Sequence, residues 1–176
     1  EQLKKPGFAI DPYFYRSHVT YQSELEHIIF KSWLYAGHVS QIPNKGDYFL
    51  FDIGEDSIII CRDRKEEIHA MHNMCRHRGA RVCEEPSGNC RVFACPYHGW
   101  GYALDGTLKA ARDMRDVEGF NFEDYGLLHV RMEIFQGMIF INCDPDAPDF
   151  KKPLSKISKQ LGAYDLENAK VAEAKT

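Results

Sequence analysis

The chain has 176 residues, of which 44% are hydrophobic and 27% are charged, as is usual for a globular domain with a real core. Its formal net charge of −4 argues against a nucleic-acid-binding protein, which usually presents a basic face. The longest apolar runs, residues 58–61 and 138–141, have the length of strands, whereas a membrane-spanning helix needs about 20 apolar residues. We therefore expect contact with neither nucleic acid nor membrane.

The cysteine content indicates a reducing compartment. Six cysteines in 176 residues fall far below the density of a disulfide scaffold. No basic and then apolar leader opens the sequence. We expect a cytoplasmic protein whose clustered Cys and His residues bind metal.

The first part of the chain predicts an N-terminal helical segment over residues 1–40. Leu25, Ile28 and Ile29 share one face of a helix over residues 23–30. Ser17 and Thr20 are candidate N-caps because their hydroxyl oxygens can accept unpaired backbone N–H groups.

From Asp47 onwards, short apolar runs alternate with turn residues, which indicates antiparallel strands. Asp105-Gly106 is the strongest hairpin signal, and Gly137 marks a further turn. We expect a mainly β domain over residues 41–146. The predicted strands are residues 48–53, 57–61, 68–71, 91–94, 101–104, 128–134 and 138–143.

Residues 147–176 read as a linker followed by a short helix. Asp146-Ala147-Pro148-Asp149 has linker composition, and Leu154, Ile157 and Leu161 have the spacing of a short amphipathic helix.

Two loops carry the chemistry of the sequence. The first contains Cys75-x-His77 and the second Cys95-x-x-His98. Together they offer two soft thiolates and two borderline imidazoles. One metal ion could take all four, or two sulfide-bridged irons could share them, with the cysteines on one iron and the histidines on the other.

The spacing favours the two-iron interpretation over a structural zinc site. Zinc modules usually pair Cys with Cys and His with His, and a Cys and a His one residue apart would crowd a single tetrahedral ion. A glycine also follows each histidine closely, as Gly79 and Gly99, and glycine permits tight loops over a cluster. A zinc-bound structural or interaction module remains the alternative.

The stretch from about Trp33 to Pro145 resembles the Rieske domain of the large (α) subunit of Rieske non-haem iron oxygenases, the ring-hydroxylating oxygenase family. The resemblance rests on both loops and on several flanking motifs. These motifs are Ser32-Trp33-Leu34-Tyr35, His72-Asn73-Met74, Arg78-Gly79-Ala80, Cys95 to Trp100 with Tyr102, Asp105-Gly106-Thr107-Leu108, Tyr125-Gly126-Leu127 and Asn142-Cys143-Asp144-Pro145.

This resemblance implies an antiparallel Rieske-type β-sandwich with two cluster-binding loops. It also implies a [2Fe–2S] cluster, and its implied ligands are Cys75, His77, Cys95 and His98. The surrounding loop residues are Arg78, Gly79, Tyr97, Gly99 and Trp100.

Three positions separate this chain from respiratory Rieske proteins, which carry a disulfide over the cluster. Ala80 and Tyr97 stand where those proteins have the two extra cysteines, and Trp100 stands where they have a serine near a cluster sulfur. Fewer hydrogen bonds to sulfur stabilise the reduced state less, so we expect a low potential, on the order of −150 mV.

The functional implication is an electron relay. In such oxygenases the Rieske cluster receives electrons from a reductase or ferredoxin and passes them to a mononuclear Fe(II), which activates O2 for hydroxylation of an aromatic or other small organic substrate. The resemblance places His98 against the neighbouring subunit of a trimer, and it implies a homotrimer or an α3β3 assembly.

The mononuclear iron site has no counterpart in these residues. The D/E-x2-H-x4-H motif of the family is absent, and the nearest substitute, Glu66, His69 and His72, lies on a predicted strand whose i and i+3 side chains face opposite sides. We therefore assign no catalytic residue and expect residues 147–176 to lead into a catalytic domain. A free-standing Rieske ferredoxin-like carrier is the alternative.

Other residues near the loops have simpler interpretations. Cys61, Cys83, Cys90 and Cys143 lack ligand spacing and are expected to be buried thiols. Arg76, Arg78 and Arg81 form a basic group that either steers an acidic electron donor or is a solvated or interface-paired face.

Overall fold

A computed structural model describes residues 6–114 and 116–172 of the chain. It shows the expected mainly β, antiparallel architecture, with three small sheets in this part of the chain. The strands are β1 (Leu34–His38), β2 (Asp47–Ile53), β3 (Asp56–Arg62), β4 (Ile68–His72), β5 (Ser87–Asn89), β6 (Phe93–Ala94), β7 (Gly101–Tyr102), β8 (Leu108–Ala110), β9 (Arg131–Phe135) and β10 (Met138–Asn142). The strand orders are β1-β10-β9, β4-β3-β2-β5 and β6-β7-β8.

All seven predicted strands are present, with shorter bounds for β6, β7, β9 and β10, and three further strands were not predicted. Strand β1 lies inside the predicted helical segment, where its pairing with β10 overrides the local pattern. Strands β5 and β8 have three residues each, too few to show an alternating pattern.

The N-terminal segment is helical, as predicted, but its apolar face is different. Helices α1 (Pro12–Arg16) and α2 (His18–Glu24) run into a π-helical turn, Leu25–Ile29. The Ser17 side chain caps α2 by accepting the N–H of Thr20 at 3.2 Å, so Thr20 is not a cap. Because a π turn changes the angular spacing, Leu25 is buried while Ile28 is 56% exposed, and the predicted shared face is wrong for Ile28.

Strand β3 separates two hydrophobic cores. Successive side chains of a strand point to opposite faces, so Ile58 and Ile60 lie in one core while Ile59 and Cys61 lie in the other. The second of these cores also contains both cysteines of the candidate site, Cys75 and Cys95. The β4-β3-β2-β5 sheet therefore forms the wall against which the two loops pack.

The predicted hairpin at Asp105-Gly106 joins β7 to β8. The Asp105 side chain accepts the N–H of Thr107 at 3.0 Å, and Gly106 has a φ of +83°. A Cβ at this glycine would lie 2.7 Å from Sδ of Met71. Both the left-handed backbone and the close packing therefore require glycine here.

The C-terminal part contains the predicted helix, α3 (Lys151–Leu161). The loop before it is held against the β domain, since Nε1 of Trp33 donates to the carbonyl of Pro148 at 2.9 Å and the Arg131 guanidinium donates to that of Ala147 at 2.6 Å. No helix in the described part of the chain has the length and apolar character needed to cross a bilayer. The domain limits at residues 40 and 146 stay predictions.

Asn73 braces the first loop from within the core. Its side chain is 3% exposed. The amide oxygen accepts the N–H groups of Val82 and Cys83 at 3.0 and 2.8 Å, and the amide nitrogen donates to the Cys83 carbonyl at 2.7 Å and to the Ser57 hydroxyl at 3.3 Å. This one side chain therefore ties the end of the loop to its beginning and to β3.

Replacing Asn73 by alanine is expected to lower the free energy of unfolding by about 3 kcal/mol, because buried backbone groups at Val82 and Cys83 lose their partners. Equilibrium urea unfolding measures the change. The matched control is Asn121→Ala, which removes one exposed cap to Glu123 and should cost less than about 1 kcal/mol. Equal losses in the two variants would contradict the bracing role.

Candidate metal centre

The two loops share one hydrogen-bonding pattern. In the first loop, the N–H of Cys75 donates to the carbonyl of Ala80 at 2.8 Å, and the N–H of Gly79 donates to the carbonyl of Cys75 at 2.9 Å. In the second loop, the N–H of Cys95 donates to the carbonyl of Trp100 at 2.8 Å, and the N–H of Gly99 donates to the carbonyl of Cys95 at 3.0 Å. Each loop is thus a closed turn that begins at its cysteine.

Backbone conformation explains the glycine that follows each histidine. Gly79 and Gly99 have φ angles of +76° and +71°, in the left-handed region that side chains rarely adopt. The two glycines reverse the chain after each histidine, so both loops return to the sheet.

The loops bring the four predicted ligand residues together, with sulfur inside and imidazole outside. Cys75 and Cys95 are 2% and 3% exposed, whereas His77 and His98 are half-buried. The two imidazole rings pack against each other with centroids 4.7 Å apart and planes inclined at 70°.

The imidazole nitrogens fit a metal cluster. Nδ1 of His77 and Nδ1 of His98 are buried and have no hydrogen-bond partner within residues 6–114 and 116–172. Burying a polar atom without a partner is costly, and a metal bond from each Nδ1 would remove that cost. The two thiol side chains beside them add the soft donors that iron–sulfur clusters use.

The spread of these donors fits two irons better than a single zinc. Ligand atoms around one tetrahedral zinc, with bonds of about 2.0–2.3 Å, lie roughly 3.5 Å apart. Among the described residues, three or more donor atoms within 4.8 Å of one another occur only at Asp63, Glu67 and His69. No three of the loop donors are that close, as expected when the cysteines and the histidines hold different irons.

The group around Asp63 is explained by hydrogen bonding within a turn. One oxygen of this carboxylate accepts the N–H groups of Lys65 and Glu67, both at 2.8 Å, and the other lies 3.2 Å from Nε2 of His69. Although burial raises the pKa of Asp63, the bonds to His69 and to the backbone outweigh it, and the net pKa is lowered.

The candidate triad Glu66, His69 and His72 does not assemble. Glu66 lies 3.3 Å from the Lys45 ammonium, and His69 pairs with Asp63. No mononuclear iron site follows from these residues.

The electrostatics of the site favour neutral ligands before metal binding. Burial, then the neighbouring His98 and Arg78, lower the pKa of His77, so its lone pair is available at neutral pH. Burial likewise raises the pKa of Cys95. A bound cation reverses the preference of the cysteines for the neutral form, because a coordinating thiol is deprotonated outright.

Aromatic rings cover the imidazoles. The Trp100 indole, 2% exposed, stacks on His77 with centroids 4.8 Å apart and planes inclined at 7°. Tyr97, 61% exposed, lies over His98 at 3.9 Å. Phe120 and Tyr125 contact the indole edge-on.

Tyr102 has a role that sequence reasoning missed. Its hydroxyl lies 3.2 Å from Sγ of Cys75 and accepts the backbone N–H of Arg76 at 3.1 Å. Since burial above all raises the pKa of Tyr102, the hydroxyl keeps its proton, which is free to point at sulfur. The motif included Tyr102, but only the fold shows that its hydroxyl reaches the first loop.

The remaining predictions near the site have mixed outcomes. Arg76 reaches the Gly126 carbonyl at 3.5 Å, Arg81 lies 3.6 Å from Asp52, and Arg78 is exposed, so the basic group that these arginines were expected to form stays a prediction.

The other cysteines are only partly as predicted. Cys61 and Cys83 are buried, whereas Cys90 and Cys143 are half-buried. Burial raises the pKa of Cys83 to about 12, which makes this thiol unreactive at neutral pH.

Comparison with known proteins identifies the family. The Rieske [2Fe-2S] domain profile matches residues 32–121, about half of the chain. The alpha subunit of biphenyl 2,3-dioxygenase from Rhodococcus jostii is 42% identical over 80% of this chain and 31% of its own length. The glycine betaine monooxygenase oxygenase subunit of Pseudomonas aeruginosa is 34% identical over 94% of this chain and 38% of its own length.

Solved structures agree with the sequence matches. The quaternary ammonium Rieske monooxygenase CntA superposes with a TM-score of 0.82 at 31% identity, over 92% of this chain and 45% of its own. Naphthalene 1,2-dioxygenase from Rhodococcus sp. gives a TM-score of 0.76 at 35% identity, over 81% of this chain and 33% of its own.

The chain spans about a third of the length of the curated relatives it matches. With the paired loops, the outward imidazoles and the matching fold, these comparisons show that the chain belongs to the Rieske [2Fe–2S] domain family, in the form found in the alpha subunits of Rieske oxygenases.

Proposed function

We propose that this chain is the electron-transfer domain of an oxygenase alpha subunit. The observation that carries the proposal is the pair of closed loops with two buried cysteines and two buried imidazole nitrogens that lack a hydrogen-bond partner among the described residues. When bound, the [2Fe–2S] cluster supplies one-electron carriage between a donor and a mononuclear iron.

Within this proposal the four loop residues are the ligands. Cys75 and Cys95 hold one iron through sulfur, and His77 and His98 hold the other through Nδ1. Trp100 and Tyr97 keep water from the imidazoles, and the Tyr102 hydroxyl donates a hydrogen bond to the Cys75 sulfur.

The names of the relatives support an oxidative activity for the whole protein. They include a biphenyl dioxygenase, a benzene dioxygenase and a glycine betaine monooxygenase. The proposed reaction is hydroxylation of an aromatic or other small organic molecule at a mononuclear iron outside these residues. A free-standing ferredoxin-like carrier is less favoured, because the matched relatives are oxygenase subunits of which this chain spans only 31–38%.

The proposed partners follow from the same role. A reductase or ferredoxin supplies electrons, and the subunits form a homotrimer or an α3β3 assembly in which His98 faces a neighbouring subunit. Its half-buried position beside the exposed Tyr97 is compatible with such a contact.

Sequencing the coding DNA past the codon for Thr176 tests the role. The oxygenase proposal expects several hundred further codons with a D/E-x2-H-x4-H motif. A stop codon at that point would favour the free-standing carrier instead.

Substitution of one proposed ligand tests the assignment. Cys75→Ser is expected to lose at least four-fifths of the bound iron and the rhombic EPR signal of the reduced protein, since a hydroxyl is a poor iron ligand beside sulfide. Cys143→Ser, at a half-buried thiol outside the loops, should retain about two irons per chain. Equal iron in both variants would refute the assignment.

Removal of the Tyr102 hydroxyl is expected to lower the reduction potential by about 40–60 mV. A hydrogen bond to sulfur stabilises the more negative reduced state, and about 1.4 kcal/mol corresponds to 59 mV for one electron. Potentiometric titration of Tyr102→Phe measures the shift. Tyr48→Phe, at another tyrosine of the same core, is the control, and an unchanged potential in Tyr102→Phe would show that the hydroxyl does not donate to sulfur.

A further inference from the structure

We infer that Trp100 is a positioning residue for His77, beyond its part in keeping water from the cluster. The inference rests on the proposed function, because it concerns a proposed cluster ligand. If the inference is right, different side chains restrict the rings of His77 and His98, so different substitutions should disturb each ring.

The parallel stack restricts how the imidazole can turn. The two rings are inclined by only 7°, with centroids 4.8 Å apart, so rotation of the imidazole about its Cβ–Cγ bond would push its edge into the indole face. No hydrogen bond from the described residues reaches Nδ1 of His77. The indole therefore restricts the ring plane without any hydrogen bond to Nδ1.

Trp100 is itself immobilised. Phe120 and Tyr125 meet the indole edge-on at 5.7 Å each, and they stack on one another at 4.6 Å. The backbone of Trp100 is held as well, because its carbonyl accepts the N–H of Cys95 at 2.8 Å.

This arrangement links the two loops through one side chain. Trp100 closes the second loop by its backbone, while its indole holds the histidine of the first loop. A displacement of the second loop is therefore transmitted to the plane of the His77 ring.

The second imidazole has a different support. Tyr97 is 61% exposed, and its ring is tilted by 36° relative to that of His98. An exposed and tilted ring restricts rotation less than a buried parallel one. Substitutions at Trp100 and at Tyr97 should therefore act on different imidazoles.

Pulsed EPR of the reduced, cluster-loaded 176-residue chain tests this, since it resolves the nitrogen couplings of the two ligand imidazoles. In Trp100→Leu, one coupling is expected to at least double in width while the other is unchanged. Trp100→Phe, which keeps a planar face, should restore the narrow width. Tyr97→Leu should broaden the other coupling, and Trp33→Leu, at the other tryptophan of the chain, should change neither.

Three results would overturn the inference. They are unchanged widths in a fully loaded Trp100→Leu chain, equal broadening of both couplings, and broadening of the same coupling by Trp100→Leu and Tyr97→Leu. If Trp100→Leu binds no cluster, Phe120→Leu and Tyr125→Leu loosen the indole and must give the same one-sided broadening. Lack of a rhombic signal in the unsubstituted chain would instead count against the proposed function.

Discussion

The arrangement of this domain depends on burying two cysteine sulfurs while two imidazoles on the same loops stay near the surface. Cys75 and Cys95 are part of the core that also contains Phe93 and Leu104. The histidines lie only two and three positions further along the chain, so each loop must reverse within a few residues. The left-handed glycines and the backbone hydrogen bonds within each loop accomplish that reversal.

The surrounding fold supports this reversal from three directions. Strand β3 supplies the wall of the core, Asn73 joins the ends of the first loop, and Tyr102 connects β7 to the first loop through Cys75 and Arg76. Each is a contact between segments distant in sequence. The site therefore depends on the packing of the β4-β3-β2-β5 and β6-β7-β8 sheets as well as on its two motifs.

Features with a local pattern could be predicted from the sequence. The Cys-x-His and Cys-x-x-His spacing identified the two loops. Asp105-Gly106 identified the hairpin, and the spacing of Leu154 and Leu161 identified the C-terminal helix. The strand at Leu34–His38 was missed because it forms by pairing with a partner about 100 residues away. The exposure of Ile28 was missed because a π turn leaves no signature in apolar spacing. The roles of Asn73 and Tyr102 were also missed, because their partners lie on other segments of the chain that only the fold brings close.

The two closed loops have a consequence for cluster assembly. The hydrogen bonds within each loop join backbone groups of the protein itself, so the turns that carry the ligand residues are closed by backbone contacts as well as by a bound metal. A zinc finger, in contrast, is unfolded without its metal and orders its chain at the moment of binding. Here the hydrogen bonds within each loop fix part of the chain during folding, so binding of a cluster would cost less conformational entropy at that step.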